Sequence, residues 1–244
     1  MKFKNKIAVV TGGFTGTGKV IVDKLIKSSA KVYSLDKMHP GLKKKKNLIS
    51  YKIDLSDHNQ IKNFSKYIYQ KESRVDFLIN NAGISLPFNK KNIFEYWNQT
   101  LNTNLSSAFF ISNFLIDLLK KSKYASIVNI GSISSRIAMA ENQAYNISKS
   151  GLIALTFSQA MDYKNFKIRS NCISPGYIKT AMTKKSFFNK KKYKERINRI
   201  MLKQYGESTD IAEMVMFLCS KKSKYINAEN IIIDGGLTRL GIEN

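Results

Sequence analysis

Ile7-Ala8-Val9-Val10-Thr11-Gly12-Gly13-Phe14-Thr15-Gly16-Thr17-Gly18-Lys19-Val20-Ile21 is the stretch that decides the fold. Four apolar residues run into a glycine-rich turn, and Ile21, Val22, Leu25 and Ile26 then recur at helical spacing. The run reads as a strand and the stripe as one face of a helix. Glycines in a strand-to-helix turn permit tight φ/ψ values and close backbone approach to a pyrophosphate. The helix start adds free N–H groups and a favourable dipole. Two nucleotide patterns fall short here. GxGxxG fails because Ile21 stands at its third glycine. GxxxxGK fits Gly13 to Lys19, but Val20 replaces the Ser or Thr that would bind Mg²⁺, so triphosphate hydrolysis is not expected. The spacing that does fit is TGxxxGxG, from Thr11 to Gly18.

Outward from this unit, short β-rich runs alternate with helix-length segments. Ile7–Val10, Lys31–Leu35, Asn47–Ile53, Asp76–Asn80, Ser126–Ile130, Lys167–Ile173 and Asn230–Ile233 read as seven strands. Ile211, Val215, Leu218 and Cys219 give a second helical stripe, with Ser208 a candidate N-cap. Such alternation predicts an α/β fold: a doubly wound, seven-stranded parallel sheet of the Rossmann type with right-handed crossovers. No linker, composition break or internal repeat divides the chain, so residues 1–244 are expected to form a single domain.

Composition narrows the function classes. The chain has 244 residues, 43% hydrophobic, enough for one substantial core. Cys172 and Cys219 lie far apart without CxxC spacing, and His39 and His58 sit in no metal-binding pattern. No metal and a reducing, cytoplasmic location are therefore expected. The start, Met1 to Lys6 followed by Ile7–Val10, loosely resembles a signal peptide, but its apolar run is too short. Phe109–Leu119 is broken by Ser112, Asn113 and Asp117, so no membrane partner is expected. The net charge of +24 raises the question of an acidic partner. The lysines spread along the whole chain, the clusters Lys43–Lys46 and Lys190–Lys192 read as loops, and no nucleic-acid-binding motif accompanies them. Nucleic acid is therefore not expected; drift toward lysine in an AT-rich genome is the favoured source of the charge, and an acidic partner the alternative.

Chemistry enters with Tyr145 and Lys149. Residues i and i+4 share a helix face, so the phenol and ammonium point into the same space. A phenol's reference pKa near 10 is too high for a neutral-pH base, and a neighbouring cation favours the phenolate. Ser132, upstream, could hold the oxygen that gains or loses the proton. This is acid/base machinery for interconverting an alcohol and a carbonyl.

With TGxxxGxG added to the Tyr/Lys pair, the chain resembles the short-chain dehydrogenase/reductase family from about residue 5 to about residue 238. Asn80-Asn81-Ala82-Gly83 matches that family's NNAG motif. Asn104, Ser132, Tyr145 and Lys149 match its catalytic tetrad, Pro175-Gly176 through Thr180 its PG motif, and Asp234-Gly235-Gly236 its closing DGG. Ala228 departs from it, standing where a glycine is common. The resemblance implies a cofactor site of Gly12, Phe14, Thr15, Gly16, Thr17 and Gly18 in the loop. Asp36, Asp54 and Leu55 follow, then Asn81, Ala82 and Gly83, and finally Pro175, Gly176, Ile178 and Thr180. Tyr145 and Lys149 also touch the cofactor in this scheme. The resemblance further implies that Lys149 contacts the nicotinamide ribose and lowers the phenol pKa together with the nicotinamide charge. Asn104 would support a water relay behind the lysine. A homotetramer or homodimer is implied by the same analogy.

Asp36, ending the second strand, can accept hydrogen bonds from the adenosine ribose hydroxyls and would repel a 2′-phosphate, which favours NAD over NADP. Thr15 is neutral where NADP-using relatives often carry a basic residue. Lys37 argues the other way. Residues 177–205 correspond to the family's substrate lid and carry Lys184, Lys185, Lys190, Lys191, Lys192, Lys194, Arg196, Arg199 and Lys203. That segment could favour an anionic substrate such as a sugar acid or sugar derivative, or be ordinary solvated lysine. The expected activity is NAD-dependent interconversion of a secondary alcohol and a ketone. The alternatives are an NADPH-dependent 3-oxoacyl-acyl-carrier-protein reductase and a non-catalytic dinucleotide-binding regulator.

Overall fold

The computed structural model describes residues 1–39, 41–180, 183 and 189–240. Eight strands form one sheet: β1 (Ile7–Thr11), β2 (Lys31–Asp36), β3 (Lys43–Lys45), β4 (Leu48–Lys52), β5 (Phe77–Asn80), β6 (Ser126–Ile130), β7 (Arg169–Pro175) and β8 (Asn230–Ile233). Their spatial order is β3-β4-β2-β1-β5-β6-β7-β8. Seven of them run parallel, as the strand–helix alternation predicts, and β3 is an added antiparallel edge with Lys43 opposite Ser50. The Lys43–Lys46 cluster, read as a loop, thus supplies a strand. Lysine on an edge strand blunts it against further pairing.

The helices are α1 (Gly16–Lys27), α2 (His58–Lys71), α3 (Ile93–Leu101), α4 (Ser107–Phe114), α5 (Ile116–Lys120), α6 (Gln143–Asp162), α7 (Lys190–Asn198) and α8 (Ser208–Leu218). Lys190 opens α7, so the second lysine cluster, also read as a loop, is the start of a helix. Glu207 rather than Ser208 caps α8, through a reciprocal box in which the Glu207 N–H donates to Asp210 at 2.7 Å. β7 starts two residues later than expected because Lys167 adopts φ +56, a left-handed conformation no strand accepts.

Each sheet face is covered. Ile21, Val22 and Leu25 of α1 and Ile211, Val215 and Leu218 of α8 pack with Val10, Ile79, Val128 and Ile173 on one side. Ile61, Phe64 and Ile68 of α2 join Ile111 of α4 against Val9, Leu78 and Ile127 on the other. A fully buried side chain of this size stabilises by about 1.5–3 kcal/mol, so these two layers fix the strand ends in space. The strand order reverses between β1 and β5, which opens a crevice at their C-terminal ends.

Candidate active site

The crevice begins at the glycine turn. Asn81 Nδ2 donates to the carbonyls of Thr11 (2.9 Å) and Gly12 (3.1 Å), and Thr11 Oγ1 accepts from the N–H groups of Asn81 and Ala82, both at 3.0 Å. These bonds tie the end of β5 to the end of β1. A Cβ on Gly18 would lie 2.0 Å from the Gly12 carbonyl oxygen, so only glycine lets α1 start this close to the turn. Gly16 has φ +53, and the space where its side chain would stand is open. Thr15, the N-cap of α1, makes no side-chain cap bond, and the first turn holds no acidic residue. The helix start therefore offers its N–H groups and its positive dipole end to an anion, which fits the pyrophosphate of a dinucleotide.

At the far end, Asp36 Oδ2 accepts from the Phe14 N–H (3.2 Å) and Oδ1 from the Met38 N–H (2.9 Å). Each oxygen keeps a lone pair for a ribose hydroxyl. Asp54 Oδ1 accepts from the backbone and hydroxyl of Ser56 at 2.9 and 2.7 Å.

At the other end stand the acid/base groups. Ser132 starts a short turn after β6, where its Oγ accepts from the Ser134 N–H at 3.1 Å. Tyr145 and Lys149 project from α6, and the Lys149 Nζ lies 5.8 Å from the Tyr145 ring centre. Burial pushes the Tyr145 phenol above its ordinary value, and a hydrogen bond with Ser132 pulls it part of the way back. Among the described residues Lys149 makes no hydrogen bond to the phenol. Its Nζ donates instead to the Ile130 carbonyl at 2.7 Å. Lys149 is itself depressed to about 8, by burial first, with the Cys172 thiol opposing.

Asn104 lies in a π-helical turn, Asn102–Ser106, between α3 and α4. Its Oδ1 accepts from the Ile84 N–H (2.8 Å), and its Nδ2 donates to the Ile84 carbonyl (2.9 Å) and to Ser148 Oγ (3.0 Å). A side chain on Gly83 would start 3.1 Å from the Lys149 Nζ and 3.6 Å from Asn104 Oδ1, so lysine and asparagine face the same glycine.

The glycine turn, Asp36, Asp54, Gly83, Ser132, Tyr145 and Lys149 border one cleft of about 380 Å³. From the loop it is lined by Gly12, Thr15, Gly16, Thr17 and Gly18, and from the second and fourth strand ends by Asp36, Asp54 and Leu55. Asn81, Ala82 and Gly83 form its floor, Ser132, Tyr145 and Lys149 one wall, and Pro175, Gly176, Ile178 and Thr180 the other. Two expected residues do not line it. Phe14 turns its ring outward against His39, 4.9 Å between ring centres, and contributes only its N–H. Asn104 stands behind the wall, 1% exposed. The cleft also takes in Met38, Ile84, Thr103, Ile130 and Thr183, which carried no motif; adjacency to Asp36, Gly83, Asn104, Ser132 and Thr180 was their only signal. Lys184 and Lys185 lie outside the described residues. Ile200, just beyond α7, packs on Ile133, the neighbour of Ser132.

A sequence model of the family described as enoyl-(acyl carrier protein) reductase matches residues 15–238. The 3-oxoacyl-(acyl-carrier-protein) reductase FabG of Buchnera aphidicola subsp. Schizaphis graminum is 36% identical over 247 residues, covering 97% of this chain and 99% of that protein. Among solved structures, 4-hydroxyisoleucine dehydrogenase complexed with NADH is 32% identical with a TM-score of 0.89, covering 97% of this chain and 100% of the other. The aldohexose dehydrogenase of Thermoplasma acidophilum is 28% identical with a TM-score of 0.89, covering 99% of this chain and 97% of that one.

Proposed function

The chain belongs to the short-chain dehydrogenase/reductase family, whose members here act on CH–OH and ketone groups, and on that premise we propose that it interconverts a secondary alcohol and a ketone with NAD(H), using Tyr145 as acid and base. The observation that carries the reading is the single cleft in which the glycine turn, Ser132, Tyr145 and Lys149 meet. Bound nicotinamide dinucleotide supplies a hydride acceptor or donor. Tyr145 as phenolate takes the hydroxyl proton of an alcohol, and as phenol returns it to a ketone. Ser132 holds the substrate oxygen and donates to it as negative charge develops there. Lys149, kept charged below about pH 8, favours the phenolate through its field and would hold the ribose hydroxyls of the bound dinucleotide. Asn104 holds the segment after Gly83 at Ile84 and supports a water path behind the lysine.

NAD is favoured because a carboxylate at Asp36 repels a 2′-phosphate; the relative complexed with NADH is consistent with that preference. For the substrate we favour an anion such as a sugar acid, because the segment 177–205, which corresponds to the family's substrate lid, carries Lys190, Lys191, Lys194, Arg196 and Arg199. A second reading, reduction of a 3-oxoacyl thioester on an acidic carrier, is supported by the relative at 36% identity. NADH formation against separate pools of polyols, sugar acids and 3-hydroxyacyl thioesters, each run beside Tyr145→Phe, tests both. Turnover in one pool should fall about 10²–10⁴-fold in the variant while its Kd for NADH holds. Near wild-type kcat in Tyr145→Phe would overturn the assignment.

A further inference from the structure

The pentapeptide Lys-Lys-Ser-Lys-Tyr occurs twice, at 120–124 and 221–225, each time closing the connection into a strand, β6 and β8. Between them in space lies β7, entered through Lys164-Asn165-Phe166-Lys167. All three segments sit at the N-terminal edge of the sheet, opposite the cleft. The two pentapeptides share one burial pattern, with only the serine inside. Ser122 Oγ donates to buried Asp76 at 2.6 Å, and Ser223 Oγ lies within hydrogen-bond distance of the carbonyls of Phe217 (2.9 Å) and Leu218 (3.0 Å). Each serine is an anchor that turns three lysines and a tyrosine outward.

The strip is continuous. Lys221 Nζ lies 4.6 Å from the Tyr124 ring centre, linking the two pentapeptides, and Lys120 Nζ lies 4.4 Å from that of Phe166. Tyr124 is 45% exposed, Phe166 42% and Tyr225 fully. Residues 120–125, 163–168 and 219–226 contain no Asp or Glu. The bordering acids are few: Asp117 holds Lys120 at 3.1 Å, Asp76 is buried beneath Lys6 and Arg74, and Asp162 and Glu229 flank the strip as exposed carboxylates. A hollow of about 360 Å³ extends the strip toward β5 and β1, with Lys6, Arg74, Lys121, Lys123 and Lys221 around Tyr124. Neighbouring strands are about 4.8 Å apart, so the edge from β1 to β8 runs roughly 19 Å. Lysines that look scattered in sequence are thus collected by the topology onto one edge, interleaved with three exposed aromatic rings.

We propose that this edge is a binding site for single-stranded nucleic acid, with the lysines on phosphates and Tyr124, Phe166 and Tyr225 as stacking platforms for unpaired bases. Charge alone would serve any polyanion. The rings narrow the choice, because a stack needs a base face that neither a duplex nor a polyphosphate presents. The site is distinct from the cofactor cleft and does not depend on the reaction assigned to it.

Fluorescence anisotropy of labelled 16-mers of oligouridylate and oligodeoxythymidylate tests the proposal on the full chain. Binding to either oligomer should weaken about 20-fold between 50 and 200 mM salt if three phosphates are engaged. Each of Tyr124→Ala, Phe166→Ala and Tyr225→Ala should weaken it about fivefold or more at unchanged melting temperature. NADH should not compete. Absence of binding at 50 mM salt would overturn the proposal. So would full affinity in the triple alanine variant, equal affinity for inorganic polyphosphate, or displacement by NADH. Vesicles of phosphatidylserine that bind more tightly than either oligomer would make the edge a membrane surface instead.

Discussion

Lys149 is a buried ammonium whose hydrogen-bond acceptor among the described residues is the Ile130 carbonyl, and burial makes it hold its proton loosely. A fall from 10.5 to about 8 corresponds to about 3 kcal/mol of differential interaction. The unfolded chain keeps its proton up to the ordinary lysine value, so between about pH 8 and 10.5 it binds more protons than the native state. Native stability contributed at this site therefore rises with pH across that window. Lys149→Met removes the buried charge but leaves the Ile130 carbonyl without its donor, an opposing loss of about 1–3 kcal/mol. The variant should match the wild type in urea melts near pH 7, lose ground by up to about 3 kcal/mol toward pH 10.5, and have no turnover at any pH. A difference that stays flat with pH would mean an ordinary lysine. Asp36 offers the complementary case. Asp36→Ala should lower affinity for NADH and raise it for NADPH, moving the ratio of Kd values about tenfold or more. An unmoved ratio would reduce the carboxylate to its bonds with Phe14 and Met38. At this scale the site was largely legible, because Tyr145, Lys149, Ser132, Asp36 and the glycines are chosen for chemistry that leaves a residue pattern. Phe14 acts in the loop through its backbone N–H, and a backbone donor leaves no signature in side-chain identity.

The strands and helices were legible for a similar reason: a sheet covered on both faces needs runs such as Ile7–Val10, and each covering helix needs one apolar stripe. The misses were elements set by their neighbours. Lys43–Lys45 has no apolar pattern and becomes a strand because β4 exposes an unpaired edge to it. The π-helical turn that carries Asn104 has no propensity signal; it is held by bonds to Ile84 and to Ser148 on α6. Ala228 shows a conflict between residue and element. It adopts φ +59 in the turn into β8, with its N–H donating to the Ser170 carbonyl at 2.9 Å, so the turn is fixed and the side chain pays for it. A left-handed L-residue costs about 1–2 kcal/mol, of which glycine would return about half after its own entropy loss. Ala228→Gly should therefore stabilise by up to about 1 kcal/mol and raise the melting temperature by about 2–4 °C. A lower melting temperature would mean that the methyl group packs well enough to outweigh the strain.

For the molecule as a whole, charge is the term that local packing does not settle. With 41 Lys and Arg against 17 Asp and Glu, one-to-one pairing of every acid still leaves an excess of 24 cations. Surface pairs such as Lys19–Asp23 at 2.7 Å and Lys179–Glu207 at 2.7 Å are worth little singly. The unpaired remainder repels itself throughout a body whose radius of gyration is about 18 Å for this length. At 10 mM salt the screening length is about 30 Å, so nearly every cation feels the others; at 100 mM it is about 10 Å, and only neighbours interact. Unfolding spreads the same charges apart, so low salt favours the unfolded chain. Raising sodium chloride from 10 to 200 mM should therefore raise the melting temperature, by about 2–4 °C for each kcal/mol of repulsion removed. A protein stabilised by its ion pairs would respond in the opposite sense, because screening weakens attraction as well. A falling melting temperature would show that the lysines lie far enough apart, and the pairs close enough together, for attraction to dominate. The Lys120–Lys123 and Lys221–Lys224 runs, gathered on one edge and facing no acidic segment, argue for the rise. Replacing Lys222 and Lys224 by Gln should reduce the salt response without altering the cleft.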